Sequence, residues 1–242
     1  MASLSGAALS AVRASARASR SSGTRAAFPR KERFFAAARV PEDLLARALA
    51  LTAESAAPDR LANFHWWTER LHVRHWPGHE VRAAGLGAER CAQANRARWI
   101  AESLGLGLRV TGDGLWSELV PGLVPEAPVD YYGALPGLYR EASCVLNVTS
   151  LLIPHSLSQR HFDVWAAGGL LLSDATRGLD IFPPELTGPI TLASRADFGP
   201  RLAELAADPQ GARDLRHAWR EHLRASHTYG HRIAFIREKI GA

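Results

Sequence analysis

Apolar residues recur along this chain with two different periods. From 41 to about 104 they return every three or four positions, and from 106 onward short continuous apolar runs alternate with helical stretches. The first region predicts three helices. One opens at Pro41-Glu42-Asp43 and runs to about 56, with proline in the first turn and acids near the positive end. A second opens at Pro58-Asp59 and extends to 76, carrying Phe64, Trp66, Trp67, Leu71 and Trp76. That aromatic stripe predicts packing against a neighbouring surface. A third spans about 88 to 104.

The second region predicts strands and crossovers. LGLRVTGDGLW (106–116) reads as a strand followed by a Gly-Asp-Gly turn, and LPGLYREA (135–142) as a short helix. The segment 143–174, SCVLNVTSLLIPHSLSQRHFDVWAAGGLLLSD, reads as a buried strand, a loop, an amphipathic helix, a Gly-Gly turn and a second buried strand. PITLA (189–193) is a further short strand, 198–207 a helix, and 209–240 helical with a break near 226–230. Alternation of this kind predicts an α/β fold, a Rossmann-like parallel sheet flanked by helices. Three divisions follow: a tail over 1–38, a helical segment over 39–105, and the Rossmann-like domain over 106–242.

Charge sharpens the division. The chain carries a formal net charge of +5, but residues 1–31 hold Arg13, Arg17, Arg20, Arg25, Arg30 and Lys31 and no acid. The body is close to neutral and offers no footprint for a nucleic-acid duplex. The tail, rich in Ala, Ser and Arg, is expected to be disordered. No apolar run approaches the roughly 18 residues of a membrane span, and the 2 cysteines make no disulfide framework. A cytoplasmic setting is therefore expected. G-x-S-x-G, Walker A and G-x-G-x-x-G patterns do not occur, which removes the hydrolase-triad, kinase and dehydrogenase fingerprints. His227 and His231 stand at i and i+4, and His72, His75 and His79 cluster. Neither set has the acid or cysteine that would complete a zinc site, so no metal is expected.

The chemistry concentrates in 143–174. In open α/β sheets ligands bind at the carboxyl ends of strands, and a helix N-terminus there favours phosphate. Asn147 and Thr149 end the first strand, Ser156 or Ser158 can cap the helix, and Arg160 and Asp163 lie on its first turns. A guanidinium suits a diphosphate and a carboxylate suits sugar hydroxyls. The alternative is a local surface ion pair between Arg160 and Asp163. Gly168 and Gly169 allow helix and strand to approach closely.

LPGLYREASCVLNVTS and SLSQRHFDVWAAGGLLLSD, with RVTGDGLW upstream and HTYGHR downstream, resemble the glycosyltransferases related to the CgeB spore-maturation proteins, over about residues 60–240. The resemblance implies the GT-B architecture, two Rossmann-like domains facing a cleft, of which this chain matches the C-terminal, donor-binding one. It implies a UDP- or GDP-linked sugar as donor, an acceptor of unknown identity, and no cofactor or metal. On it, FDVWAAGGLLLSD corresponds to the EAMAAGKPVV-type segment, which places Asp163 at the ribose hydroxyls and Arg160 at the phosphates. Asn147 and Thr149 would line the donor pocket, Gly112 and Asp113 would face it from a neighbouring loop, and Gly168 and Gly169 would complete the motif. The loop 149–158 would close over the donor. The family's partner acid falls at His155, which leaves the stereochemical outcome open. About 60 residues precede the match, too few for a second Rossmann domain. The acceptor domain is thus expected on another polypeptide or lost from a truncated gene. A different class of function, a non-catalytic module that pairs with a partner or a second copy through the Trp-rich helix, predicts an exposed aromatic face.

Overall fold

The structure is a computed structural model and describes residues 12–15, 39–51, 62–75, 78–112 and 114–241. Its centre is a five-stranded sheet, β1 Val12–Ser15, β2 Leu108–Thr111, β3 Val145–Asn147, β4 Leu171–Asp174 and β5 Thr191–Leu192. The order is β2-β1-β3-β4-β5 and every pairing is parallel. This is a doubly wound order, with its topological switch between β1 and β3.

The strand between β2 and β3 departs from the sequence reading. Val12–Ser15 falls within the stretch expected to be disordered, yet it pairs with β2 from Val12↔Leu108 to Ser15↔Thr111 and with β3 at Arg13↔Val145. Composition argued for disorder because four residues of Val, Arg, Ala and Ser carry little apolar pattern. Backbone pairing decides instead: the facing edges of β2 and β3 would otherwise leave N–H and C=O groups without partners. The rest of the expected tail lies outside the described residues.

The helices are α1 Glu42–Ala50, α2 Phe64–Leu71, α3 Val81–Ser103, α4 Trp116–Leu119, α5 Leu135–Glu141, α6 Gln159–Ala166, α7 Pro184–Thr187, α8 Phe198–Ala207, α9 Pro209–Ser226 and α10 Tyr229–Ile240. α3 starts seven residues before its sequence-predicted position. Two apolar cores share it. Ala83, Ala84, Ala88 and Ala92 pack with α1 and α2, whereas Trp99 and Ile100 belong to the core around the sheet. α2 is drawn tight against α3 by Trp67, whose ring leaves no room for a side chain at Gly87: a Cβ there would lie 2.4 Å away. Trp67 is fully buried and Trp66 partly so. The aromatic stripe therefore packs within the chain, and Trp67 is not available to a partner or a second copy. Trp76 lies outside the described residues.

The sheet core explains the continuous apolar runs. Helices cover both faces of a parallel sheet, so its strands have no solvent side. Val145, Leu146, Leu171 and Leu172 are all buried. Trp165 of α6 stacks on Trp219 of α9 with ring centroids 3.7 Å apart, and Phe182 meets both edge-on. Cys144 is buried in this core, where burial pushes its thiol up to about 12, and Cys91 is buried in the other; neither forms a disulfide among the described residues. Among the described residues no helix is long and apolar enough to cross a membrane.

Candidate functional site

The carboxyl ends of β3 and β4 meet the first turn of α6 in a polar cluster set into an apolar core. Asn147, His161 and Ser173 are buried there. Asn147 Nδ2 donates to Ser173 Oγ at 3.2 Å. Its Oδ1 accepts from Arg160 Nη1 at 3.1 Å and from Ser158 Oγ at 3.3 Å. Asn147 thus joins the strand end to the helix that follows the loop.

Ser158, one of the two serines considered for the role, is the N-cap of α6. His161 closes the first turn, its Nδ1 accepting from the Ser158 N–H at 3.1 Å. Its Nε2 then turns toward Ser173 Oγ at 3.2 Å. Burial, assisted by the charge of Arg160, brings the imidazole pKa down to about 4 from the ordinary 6.5. His161 is thus neutral at physiological pH, and Arg160 is the cation at this helix end.

Thr149 turns its hydroxyl and its backbone N–H onto one oxygen, Asp174 Oδ1, each at 2.8 Å. Burial raises the Asp174 pKa above the usual carboxylate range, against the pull of these hydrogen bonds and of the Arg96 charge. The loop between β3 and α6 is fastened at several points. The Leu151 carbonyl accepts from the Phe64 N–H at 3.2 Å, and Thr176 Oγ1 donates to the Pro154 carbonyl at 3.1 Å. A Cβ on Gly178 would sit 2.7 Å from the Ser156 carbonyl carbon, so the two loops press together.

One turn along α6, Asp163 accepts from the Tyr131 hydroxyl at 2.5 Å, and Gln159 Nε2 donates to that hydroxyl at 2.6 Å. Burial, then the hydrogen bond and charge of Asp163, raise the Tyr131 pKa, so its proton stays in place. Arg160 and Asp163 thus join two neighbouring hydrogen-bonded groups on one helix.

The structure brings Asn147, Thr149, Arg160 and Asp163 to one end of the sheet. Gly112 ends β2 on the same side with φ +142°, its N–H donating to the Glu126 carbonyl at 3.0 Å. β1 stands between it and β3, a separation of about 10 Å from strand spacing. Asp113 lies outside the described residues. Gly168 and Gly169 are elsewhere: they form the turn into the amino end of β4, roughly 10 Å of strand from the cluster. Gly168 takes φ +81°, and a Cβ on Gly169 would lie 2.5 Å from the Tyr139 carbonyl oxygen, so these glycines serve chain packing. His161, Ser173, Asp174 and Tyr131 were missed. An acid directly after the apolar run LLLS, at the carboxyl end of a strand, was a readable signal for Asp174. Tyr131 had none, because only the fold carries it to a residue 32 positions away. His227 and His231 do not face each other as a metal pair in their hydrogen bonding: His227 Nδ1 contacts Arg232 Nη2 at 2.6 Å and His231 Nδ1 contacts Thr228 Oγ1 at 2.6 Å.

Residues 90–238, more than half of the chain, match a family described as glycosyl transferase-like. The chain belongs to that family. The match starts inside α3, at the half of the helix that contributes to the sheet core, and ends within α10. This glycosyl transferase-like region contains β2 to β5 and the whole polar cluster. No curated protein and no solved structure matches the chain.

Proposed function

We propose that the polar end of β3 and β4 binds a nucleoside-diphosphate sugar, UDP- or GDP-linked, and that the domain transfers the sugar in the manner of CgeB-related glycosyltransferases. The observation that carries this reading is the guanidinium of Arg160, held by Asn147 Oδ1 at 3.1 Å beside the α6 N-terminus. Arg160, at the positive end of the α6 dipole, meets the diphosphate, and Asp163 exchanges the Tyr131 hydroxyl for ribose hydroxyls. Asn147 orients Arg160, and Thr149 keeps Asp174 at the sugar end. Gly112 approaches the nucleotide from the end of β2. As the bond to the leaving diphosphate breaks, its growing charge falls on groups already in position, so the step needs no metal or cofactor.

Isothermal titration of the chain with UDP and with GDP tests the reading. One of them is expected to bind, with at least tenfold weaker affinity in Arg160→Ala and in Asp163→Asn. Absence of binding by both, or unchanged affinity in Arg160→Ala, would overturn it.

A further inference from the structure

Beyond Asp163 the same helix borders an open groove of about 460 Å³, walled on one side by α6 and on the other by the corner between α9 and α10. Three guanidiniums line it, Arg220, Arg224 and Arg232, against the single carboxylate of Asp163, which already accepts from Tyr131. Arg232 is steadied by His227 Nδ1 at 2.6 Å. Arg224 shares Glu221 at 3.1 Å, and Arg220 has no hydrogen-bonding partner among the described residues. Leu223 is buried in the wall and Phe162 partly so, while Tyr229 stands on the rim, 87% exposed. His227 is held below the ordinary imidazole range, first by burial and then by the charge of Arg232.

We propose that this groove is a second binding site, for a sugar that carries a phosphate or carboxylate. The size is that of a small-ligand site. The chemistry matches on both counts: aromatic and aliphatic side chains for the ring, and guanidiniums for an oxyanion. The groove adjoins the ribose end of the donor subsite through Asp163, so its occupant sits beside the nucleotide; that placing, though not the binding, rests on the donor reading above.

The test is a ligand-observed NMR titration of the full chain with glucose 6-phosphate, glucuronate and glucose. At least one anionic sugar is expected to bind about tenfold or more tightly than glucose, and the better of the two identifies the anion. The double variant Arg220→Ala/Arg232→Ala should erase the preference, and Arg220→Lys/Arg232→Lys should keep most of it. All these positions are exposed; if the alanine pair lowers the melting temperature, Arg220→Ala alone reads the same loss. Saturating UDP should leave the anionic sugar bound. Equal binding of all three sugars, a preference that survives the alanine variants, or displacement by UDP would each overturn the proposal. Binding of an anionic sugar together with failure of UDP and GDP would remove the donor reading and leave this site standing.

Discussion

The two ends of the β3–α6–β4 unit are made from one continuous stretch of sequence and are chemically opposite. At the amino end, Gly169 lets β4 start beneath the Tyr139 carbonyl, Leu170 is fully buried, and Arg216 seals the strand start by donating to the Ala142 and Ser143 carbonyls at 3.1 and 2.6 Å. At the carboxyl end, Asn147, Thr149, Ser173 and Asp174 carry hydroxyl, amide and carboxylate groups that hold one another and Arg160. The sealed end spends its side chains on packing. The polar end accepts buried hydrogen-bonding groups, which are costly unless paired, and so is where a ligand has partners waiting.

The contrast can be broken first at the sealed end. Leu170→Ala should cost about 4 kcal/mol through lost burial and the cavity left behind, read by denaturant unfolding. Nucleotide affinity of the folded fraction should not change; a specific loss of affinity would mean that the two ends are coupled.

Acid tests the polar end. The folded-state pKa of His161 is about 4 against 6.5 unfolded, so stability is complete above pH 6.5 and is lost as pH falls toward 4. The loss should approach about 3 kcal/mol. Unfolding followed from pH 7 to pH 4 should show it, and His161→Gln should flatten that part of the profile. An equally steep profile in the variant would assign the acid loss to other groups.

Gly169→Ala should cost about 2 kcal/mol, since a backbone oxygen gives way less easily than a side chain. Its donor affinity should match that of the parent. The smallest stability effect belongs to Arg160→Ala, about 1 kcal/mol for the lost hydrogen bond to buried Asn147, yet it should show the larger change in nucleotide binding. Reversal of that order between Gly169 and Arg160 would erase the distinction between the ends.

Much of the frame was readable from local pattern. The period change near 106, the buried runs VLN and LLLSD and the amphipathic SQRHFDVWA each depend on neighbours within a turn or a strand. The break at 226–230 was equally plain, and α9 and α10 flank it. β1 was not readable, because its four residues are a strand only by virtue of two edges that lie about a hundred and more positions away in the chain. The start of α3 was missed for a related reason: its first half is rich in alanine and glycine, and only the ring of Trp67 over Gly87 makes that face a core.

By itself, then, the order of residues determined the α/β class, the β3–α6–β4 unit and the placing of Asn147, Thr149, Arg160 and Asp163 near one strand end. Periodicity and capping act over a few residues, and one chain displays them in full. Only the tertiary structure decided that Gly168 and Gly169 belong to the far end, that Tyr131 guards Asp163, that Asp174 holds the Thr149 loop, and that three arginines from α9 and α10 share a groove with α6. Those relations join residues far apart in sequence, and they exist only once burial of the apolar runs has fixed which backbone segments lie side by side.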